Sequence, residues 1–293
     1  MTATTATRSP ASPDSDRRTL QAVAGPSALG GGWRRFAYLT RLIAITDFKL
    51  TFYGSVLGYL WTLVRPLMFF GVLYLVFAVI LSSFTRGVVD FPVVLLTNVV
   101  LITFFQEATG QAVPSVITRE NLVRKMHFPR LVIPMAVVLT SCLNFVLNLV
   151  AVFVFMLIYG VQPRATWLLL PVALAPLLVL TIGVAMMLSA LYVRYRDVAP
   201  IWGVISQVLF YASPIFYTIE TVARKGFARV YLFNPIAMVM QQARHWLVGG
   251  TAGVAAWMGG YVWLLVPLGL TAAVFAIGYS TFSRMAPEIA EEL

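Results

Sequence analysis

Acid–base or metal chemistry needs carboxylates, histidines or cysteines gathered at one place. This sequence offers few. It has two histidines, His127 and His245, far apart in the chain, and one cysteine, Cys142, inside an apolar run. No intrachain disulfide and no cysteine-rich metal site is possible on that count. Of the carboxylates, only Glu107 falls within a long apolar stretch. An ionisable group in such a place marks a functional site by default, although a position near the membrane surface explains this one equally well. A lone carboxylate is poor material for catalysis. The lysines speak against nucleotide chemistry. Lys49, Lys125 and Lys225 are followed by Leu, Met and Gly, whereas a Walker A loop needs a following Ser or Thr hydroxyl for magnesium. A process driven by ATP therefore calls for a separate ATPase chain.

Two other groups can act on a ligand without catalysis. Arg65, followed by Pro66, interrupts an apolar run. An arginine in hydrocarbon costs at least about 2.5 kcal/mol, so it must snorkel, pair or line a wet cavity. Either the span starts near Pro66, leaving "GSVLGYLW" at the interface, or Arg65 faces a cavity where it could bind a phosphate. Aromatic residues are dense nearby and again in a later run: Tyr59, Trp61, Phe69, Phe70 and Tyr74, then Phe210, Tyr211, Phe216 and Tyr217. Packing and an interfacial belt account for such residues. Rings lining a path for the C–H faces of sugars are the functional alternative.

The elements that must position these residues are membrane spans. Of the 293 residues 60% are hydrophobic and 11% charged, against about 25% charged in a soluble domain. The mean hydropathy is +0.86. A span needs about 20 apolar residues, and six stretches qualify: 56–81, 91–113, 131–159, 167–192, 198–219 and 258–282. Residues 1–32, rich in Thr, Ala, Ser, Pro and Gly without an apolar core, read as a disordered tail and not as a secretory signal. Residues 33–293 then form one six-span domain. With both ends inside, fourteen of the 21 Lys and Arg lie on the inner side and six on the outer, with Arg65 unassigned. This bias predicts cytoplasmic termini, and the net charge of +10 reports topology before it reports any affinity for nucleic acid.

Three segments stand outside the spans. "WRRFAYLTRLIAITDFKL" (33–50) puts Trp33, Phe36, Leu39, Ile43 and Leu50 on one arc and Arg34, Arg35, Arg41 and Lys49 on the other, with Leu42 and Ile45 intruding. It reads as a helix lying on the inner membrane surface, its arginines near anionic headgroups. "TRENLVRKMHFPRLVIP" (118–134) places a basic, helix-length insert between the second and third spans. In residues 221–250, Asn234 is set to cap a short helix beginning at Pro235, lying at the outer interface or dipping partly into it. No internal repeat is evident, which argues against an inverted-repeat secondary transporter.

The stretch "DFKLTFYGSVLGYLWTLVRPLMFFGVLYLVF" (47–77) resembles the start of the membrane subunit of type-2 ABC exporters of polysaccharide. Those are the permeases for O-antigen, teichoic acid and galactan chains. Asp47, Lys49, Tyr53, Ser55, Leu57, Gly58, Trp61 and Pro66 carry the likeness. "ENLVRKMHFPRLVIP", "YVRYRDV", "SPIFY", Asn234-Pro235, Arg244 and the acidic "APEIAEEL" extend it in order over about residues 33–293. The resemblance implies an all-α membrane protein of six spans, with an N-terminal amphipathic interface helix, a cytoplasmic coupling helix and short outer-face helices between spans five and six. It implies that Glu120, Asn121, Leu122, Val123, Arg124, Lys125, Met126 and His127 form the coupling helix that docks on the ATPase. Glu120 at the start and Arg124-Lys125 near the end suit the helix dipole. It implies two permease copies with two ATPase subunits, no cofactor on this chain, and ATP and Mg on the partner, all in the bacterial inner membrane. A polyprenyl-diphosphate-linked glycan is expected to enter between spans one and five. Tyr59, Trp61, Arg65, Phe69, Phe70, Phe210, Tyr211, Phe216 and Tyr217 would line its path, and Arg34, Arg35 and Arg41 would attract its headgroup. Arginine- and alanine-rich composition hints at a GC-rich genome and a galactan cargo. Teichoic acid, another glycolipid or a drug fits the same architecture. A membrane glycosyl- or acyltransferase is the alternative of another class, and it would have to work through Glu107.

Overall fold

A computed structural model describes residues 32–51, 53–54, 58–80, 88, 90–120, 129–223 and 226–286. The expected tail lies outside these residues except Gly32, as do coupling residues 121–127 and the acidic ending from 287 onward. Among the described residues the chain is mostly helical, without strands. The long helices are α1 (Trp33–Thr51), α2 (Leu60–Ile80), α3 (Phe91–Ala112), α4 (Val132–Ile158), α5 (Ala165–Arg194), α6 (Val198–Ala212), α7 (Pro235–Leu247) and α8 (Tyr261–Met285). Five of them, α2, α3, α4, α5 and α8, are long and apolar enough to cross a membrane. They match five of the six expected spans to within a few residues.

The remaining expected span, 198–219, differs. Its helix, α6, has 15 residues and stops at Ala212, about 22 Å at 1.5 Å per residue. Pro214 explains the stop. Proline cannot donate a backbone hydrogen bond, and it drives the residue before it out of the helical region. Ser213 is accordingly extended, at φ −97° and ψ 150°. Its hydroxyl folds back to donate to Leu209 O at 2.8 Å. Asn98, buried in α3, donates to Pro214 O at 2.7 Å and so pins the broken end to the bundle. The helix of the first span does not begin at Pro66; α2 begins at Leu60 and runs through Pro66, its one buried residue before a last turn of π-helix, Leu75–Ile80.

Helix α3 is central, touching α2, α4, α5, α6 and α7. The most extensive helix pair is α5 with α8. It depends on glycine at one crossing, where a Cβ on Gly278 would stand 2.0 Å from Gly183 O. Two backbones meet there with no room for a side chain, as small residues permit between membrane helices. At one end of the bundle α1 lies across α4. Phe36 joins a cluster with Val116, Ile133, Met186 and Phe282, and Thr40 and Ala44 are buried beside it. Asp47 and Arg119 form an ion pair between α1 and the chain leaving α3. At the other end α7 packs on α5, α3 and α8. Asn234 caps it as its sequence suggests, Oδ1 accepting from Ile236 N at 3.0 Å. The helix is more deeply buried than a surface element: Ile236, Val239, Met240, Ala243 and Leu247 are all in the core.

Candidate functional site

A groove of about 530 Å³ runs along the flank of the bundle between α2, α3 and α6. Helix periodicity builds it. In α3, Gln106 and Gly110 lie four residues apart on one face, and Val113, just past the helix end, continues it. In α6, Trp202, Gly203, Ser206, Phe210 and Tyr211 share a face, and α2 supplies Phe69. Gln106 donates to Ser206 O at 3.0 Å and lies 3.1 Å from Ser206 Oγ, so an amide and a hydroxyl tie α3 to α6 across the groove.

One wall is aromatic. Phe69 and Phe210 have ring centroids 5.6 Å apart. Phe210 meets Tyr211 edge-on at 5.2 Å and Phe216 at 5.6 Å. Phe216 stacks on Phe77 at 4.7 Å with an interplanar angle of 6°. Tyr217 follows at 6.2 Å from Phe216 and shares a 2.5 Å hydroxyl contact with Tyr231. Tyr231 in turn donates to Ala212 O at 2.7 Å. Burial, and after it the neighbouring Tyr217, pushes the Tyr231 phenol well above its ordinary value, so Tyr231 stays a neutral donor. The ladder thus leads from the groove to the α7 end, offering flat apolar faces with hydroxyls and amides between them. Such a lining suits an amphipathic ligand whose sugar C–H faces lie on rings and whose hydroxyls find polar partners.

The structure brings part of the expected path together. Phe69, Phe210 and Tyr211 line the groove, and Phe216 and Tyr217 continue it. Phe70 turns away to α4, meeting Phe155 edge-on at 5.5 Å. Tyr59 stacks on Phe48 of α1 at 5.3 Å, and Trp61 is exposed in the first turn of α2. Arg65 is exposed one turn from Phe69, towards the α1 end. Arg34, Arg35 and Arg41 are exposed on α1, away from the face buried by Phe36, Thr40 and Ala44. Glu120 is the one coupling residue described. Gln106, Trp202 and Ser206 were not singled out from sequence. Polar side chains inside apolar runs, as at Gln106 and Ser206-Gln207, were the available signal.

Glu107, next in sequence to Gln106, points to the other side of α3. It accepts from Asn144 of α4 at 3.2 Å and from Gln111 at 3.1 Å. At the α7 end Glu220 receives Arg244 at 2.9 Å. Burial raises the Glu220 carboxyl, but hydrogen bonds from Arg244, its own backbone N–H and Thr218, with the Arg244 charge, more than offset this and leave it below its ordinary value.

Five helices long and apolar enough to cross a membrane, two of which (α2 and α3) wall an aromatic groove, define a multi-pass helical membrane protein. The chain belongs to the ABC-2 type transporter family, whose model matches residues 38–248, from α1 through α7. It is similar to the O-antigen export system permease protein RfbA of Klebsiella pneumoniae, with 27% identity over 255 residues, 86% of this chain and 94% of that protein. A protein of the same name from Myxococcus xanthus is 28% identical over 208 residues, 70% of this chain and 79% of that one.

Proposed function

We propose that this chain is the permease half of an ATP-driven exporter that moves a polyprenyl-diphosphate-linked polysaccharide, of O-antigen or galactan type, across the bacterial inner membrane. The observation that carries the reading is its alignment over 86% of its length with a permease of an O-antigen export system. The aromatic groove supports it, since rings spaced 5 to 6 Å apart can hand a sugar chain onward without binding one sugar tightly.

In this reading two copies pair around the path, each with an ATPase subunit that holds ATP and Mg. Both termini are cytoplasmic, α6 and the chain to Ile219 complete a sixth span, and α1 lies on the inner leaflet. Residues 120–127 dock on the ATPase. Phe69, Phe210, Tyr211, Phe216 and Tyr217 line the path, and Arg34, Arg35 and Arg41 gather the anionic headgroup.

The test is to purify the tagged protein from its native membranes under mild conditions and identify what travels with it. A Walker-containing ATPase in equal amount, whose hydrolysis rises on adding the lipid-linked glycan, is the expected result. Reversing Arg124 and Lys125 to Glu should abolish that association. A chain that keeps its bound lipid yet carries no ATPase would overturn the reading.

A further inference from the structure

A second cavity, of about 370 Å³, lies at the α7 end between α5, α7 and the start of α8. It shares no lining residue with the groove. Its size falls within the range of small-molecule sites, roughly 300–1,000 Å³. Three side chains of α7 fix the following loop over it. Gln241 donates to Ala252 O at 3.0 Å, Gln242 Oε1 accepts from Val254 N at 3.2 Å, and His245 Nδ1 donates to Thr251 O at 2.7 Å. The wall is therefore formed before any ligand arrives.

Two of those bonds decide what the cavity offers. A carbonyl oxygen only accepts, so His245 carries its proton on Nδ1 and the neutral ring presents Nε2 as an acceptor. Gln242 engages its oxygen on Val254, which leaves its NH2 group to donate. Neither nitrogen has a partner among the described residues. Both side chains line the cavity, three residues apart on one face of α7. Gly253 keeps this pair uncovered. A Cβ there would stand 3.3 Å from His245 Cδ2, 3.5 Å from its Nε2 and 3.8 Å from Gln242 Oε1. No Asp, Glu, Lys or Arg lines the cavity. Val172 and Pro176 on α5, and Leu264 and Leu268 on α8, are each four residues apart, so the apolar walls extend about 6 Å along the two helices. Trp246 and the exposed Tyr261 complete the lining. Such rings mark the level of lipid headgroups.

We propose that this cavity is a binding site for one membrane lipid with a neutral, hydroxyl-bearing headgroup, of the acylglycerol class. A hydroxyl both donates and accepts. It gives its proton to His245 Nε2 and its oxygen to the Gln242 NH2 group, while the acyl chain lies along the apolar walls of α5 and α8. A charged headgroup finds no counter-ion in the lining. The bound lipid braces α7 against the α5–α8 pair. The site goes beyond the export reading and does not depend on it.

The experiment releases the full chain from detergent micelles and counts bound lipid by native mass spectrometry during titration with monooleoylglycerol. Saturation at one lipid per chain is the expected result. Methyl oleate, with the same chain and no hydroxyl, should bind about tenfold more weakly for want of the hydrogen bonds. This series reads the polar pair in the wild type, without any variant. His245→Phe should narrow the preference to about threefold or less. Gly253→Leu stands on a backbone of φ −66° and ψ 164° that any residue adopts. It should abolish saturable binding while the chain stays monodisperse in size-exclusion chromatography. Methyl oleate binding as well as monooleoylglycerol would overturn the proposal, because the polar pair would then be idle. Glycerol displacing the lipid at equal concentration would overturn it by making the cavity a site for free polyols. Oleoyl lysophosphatidate binding more tightly than the neutral lipid would overturn the match to an uncharged headgroup. A monodisperse Gly253→Leu with unchanged binding would put the lipid elsewhere and sink the site.

Discussion

Helices α2 and α3 are nearly the same length, 21 and 22 residues, and both can cross a membrane. In α3 83% of the most apolar window is buried inside the protein; in α2 the figure is 6%. The more apolar of the two is α2, the exposed one. In a soluble protein the order would be the reverse. Lipid tails are as apolar as a leucine side chain, so an apolar face gains little by turning inward, whereas polar groups must find partners inside the bundle. Hence α3 carries Thr97, Asn98, Gln106, Glu107 and Thr109, each bonded within the protein. Helix α2 presents Leu67, Met68, Val72, Leu75 and Val79 outward. Buried polarity, not apolarity, marks the inside of this molecule.

The largest effect should come where close packing, not polarity, fixes an outer helix. Helix α8 resembles α2 in its outward face, with 17% of its window buried, yet it is held to α5 through the Gly183–Gly278 crossing. Gly278→Leu has no space beside Gly183 O, and overpacking of this kind costs about 3 kcal/mol or more. We expect loss of the monodisperse species in size-exclusion chromatography, while the same leucine at Gly269, which has open space around it, should leave the profile unchanged. Helices α2 and α3 themselves can be compared by matched truncations. Leu101→Ala in α3, at a side chain 2% exposed, should cost about 2 kcal/mol or more through lost contacts. Leu75→Ala in α2, at 54% exposed, should cost less than about 0.5 kcal/mol. Unfolding of both variants in one detergent checks the difference. Equal losses would mean that a second surface covers α2.

How far the sequence reached follows from the same physics. Apolar runs of about 20 residues announced α3, α4, α5 and α8 to within a few positions, because length and apolarity are what a bilayer demands. Asn234-Pro235 announced the start of α7, because a cap and a proline act locally. The end of α6 was missed. The run stays apolar through Ile219, and the Pro214 break is stabilised by Asn98, more than a hundred residues away in sequence. The groove was half legible. Aromatic clusters pointed to Phe69 and Phe210, but spacing alone could not tell that Phe70 faces α4. Gln106 and Ser206 acquire meaning only once α3 and α6 lie side by side.

The smallest effect concerns the Arg244–Glu220 ion pair at the α7 end, and it tests whether interior polarity here stabilises or is merely tolerated. Arg244 is 6% exposed and Glu220 about a third exposed on its side chain, so solvent screens the pair on one side only. The Glu220 carboxyl titrates below its ordinary value of 4.5. A carboxyl lowered in the folded state contributes stability that is fully present above its unfolded value and lost as pH falls through the folded one. The contribution should therefore hold from neutral pH down to about the ordinary value and fade below it. Thermal unfolding from pH 7 to pH 3 should show this fading in the wild type. Glu220→Gln, which keeps an acceptor for Arg244 but cannot titrate, should be less stable at pH 7 and lose less on acidification. If both proteins lose stability in parallel, Glu220 does not sense the Arg244 charge, and the buried guanidinium is held by packing alone.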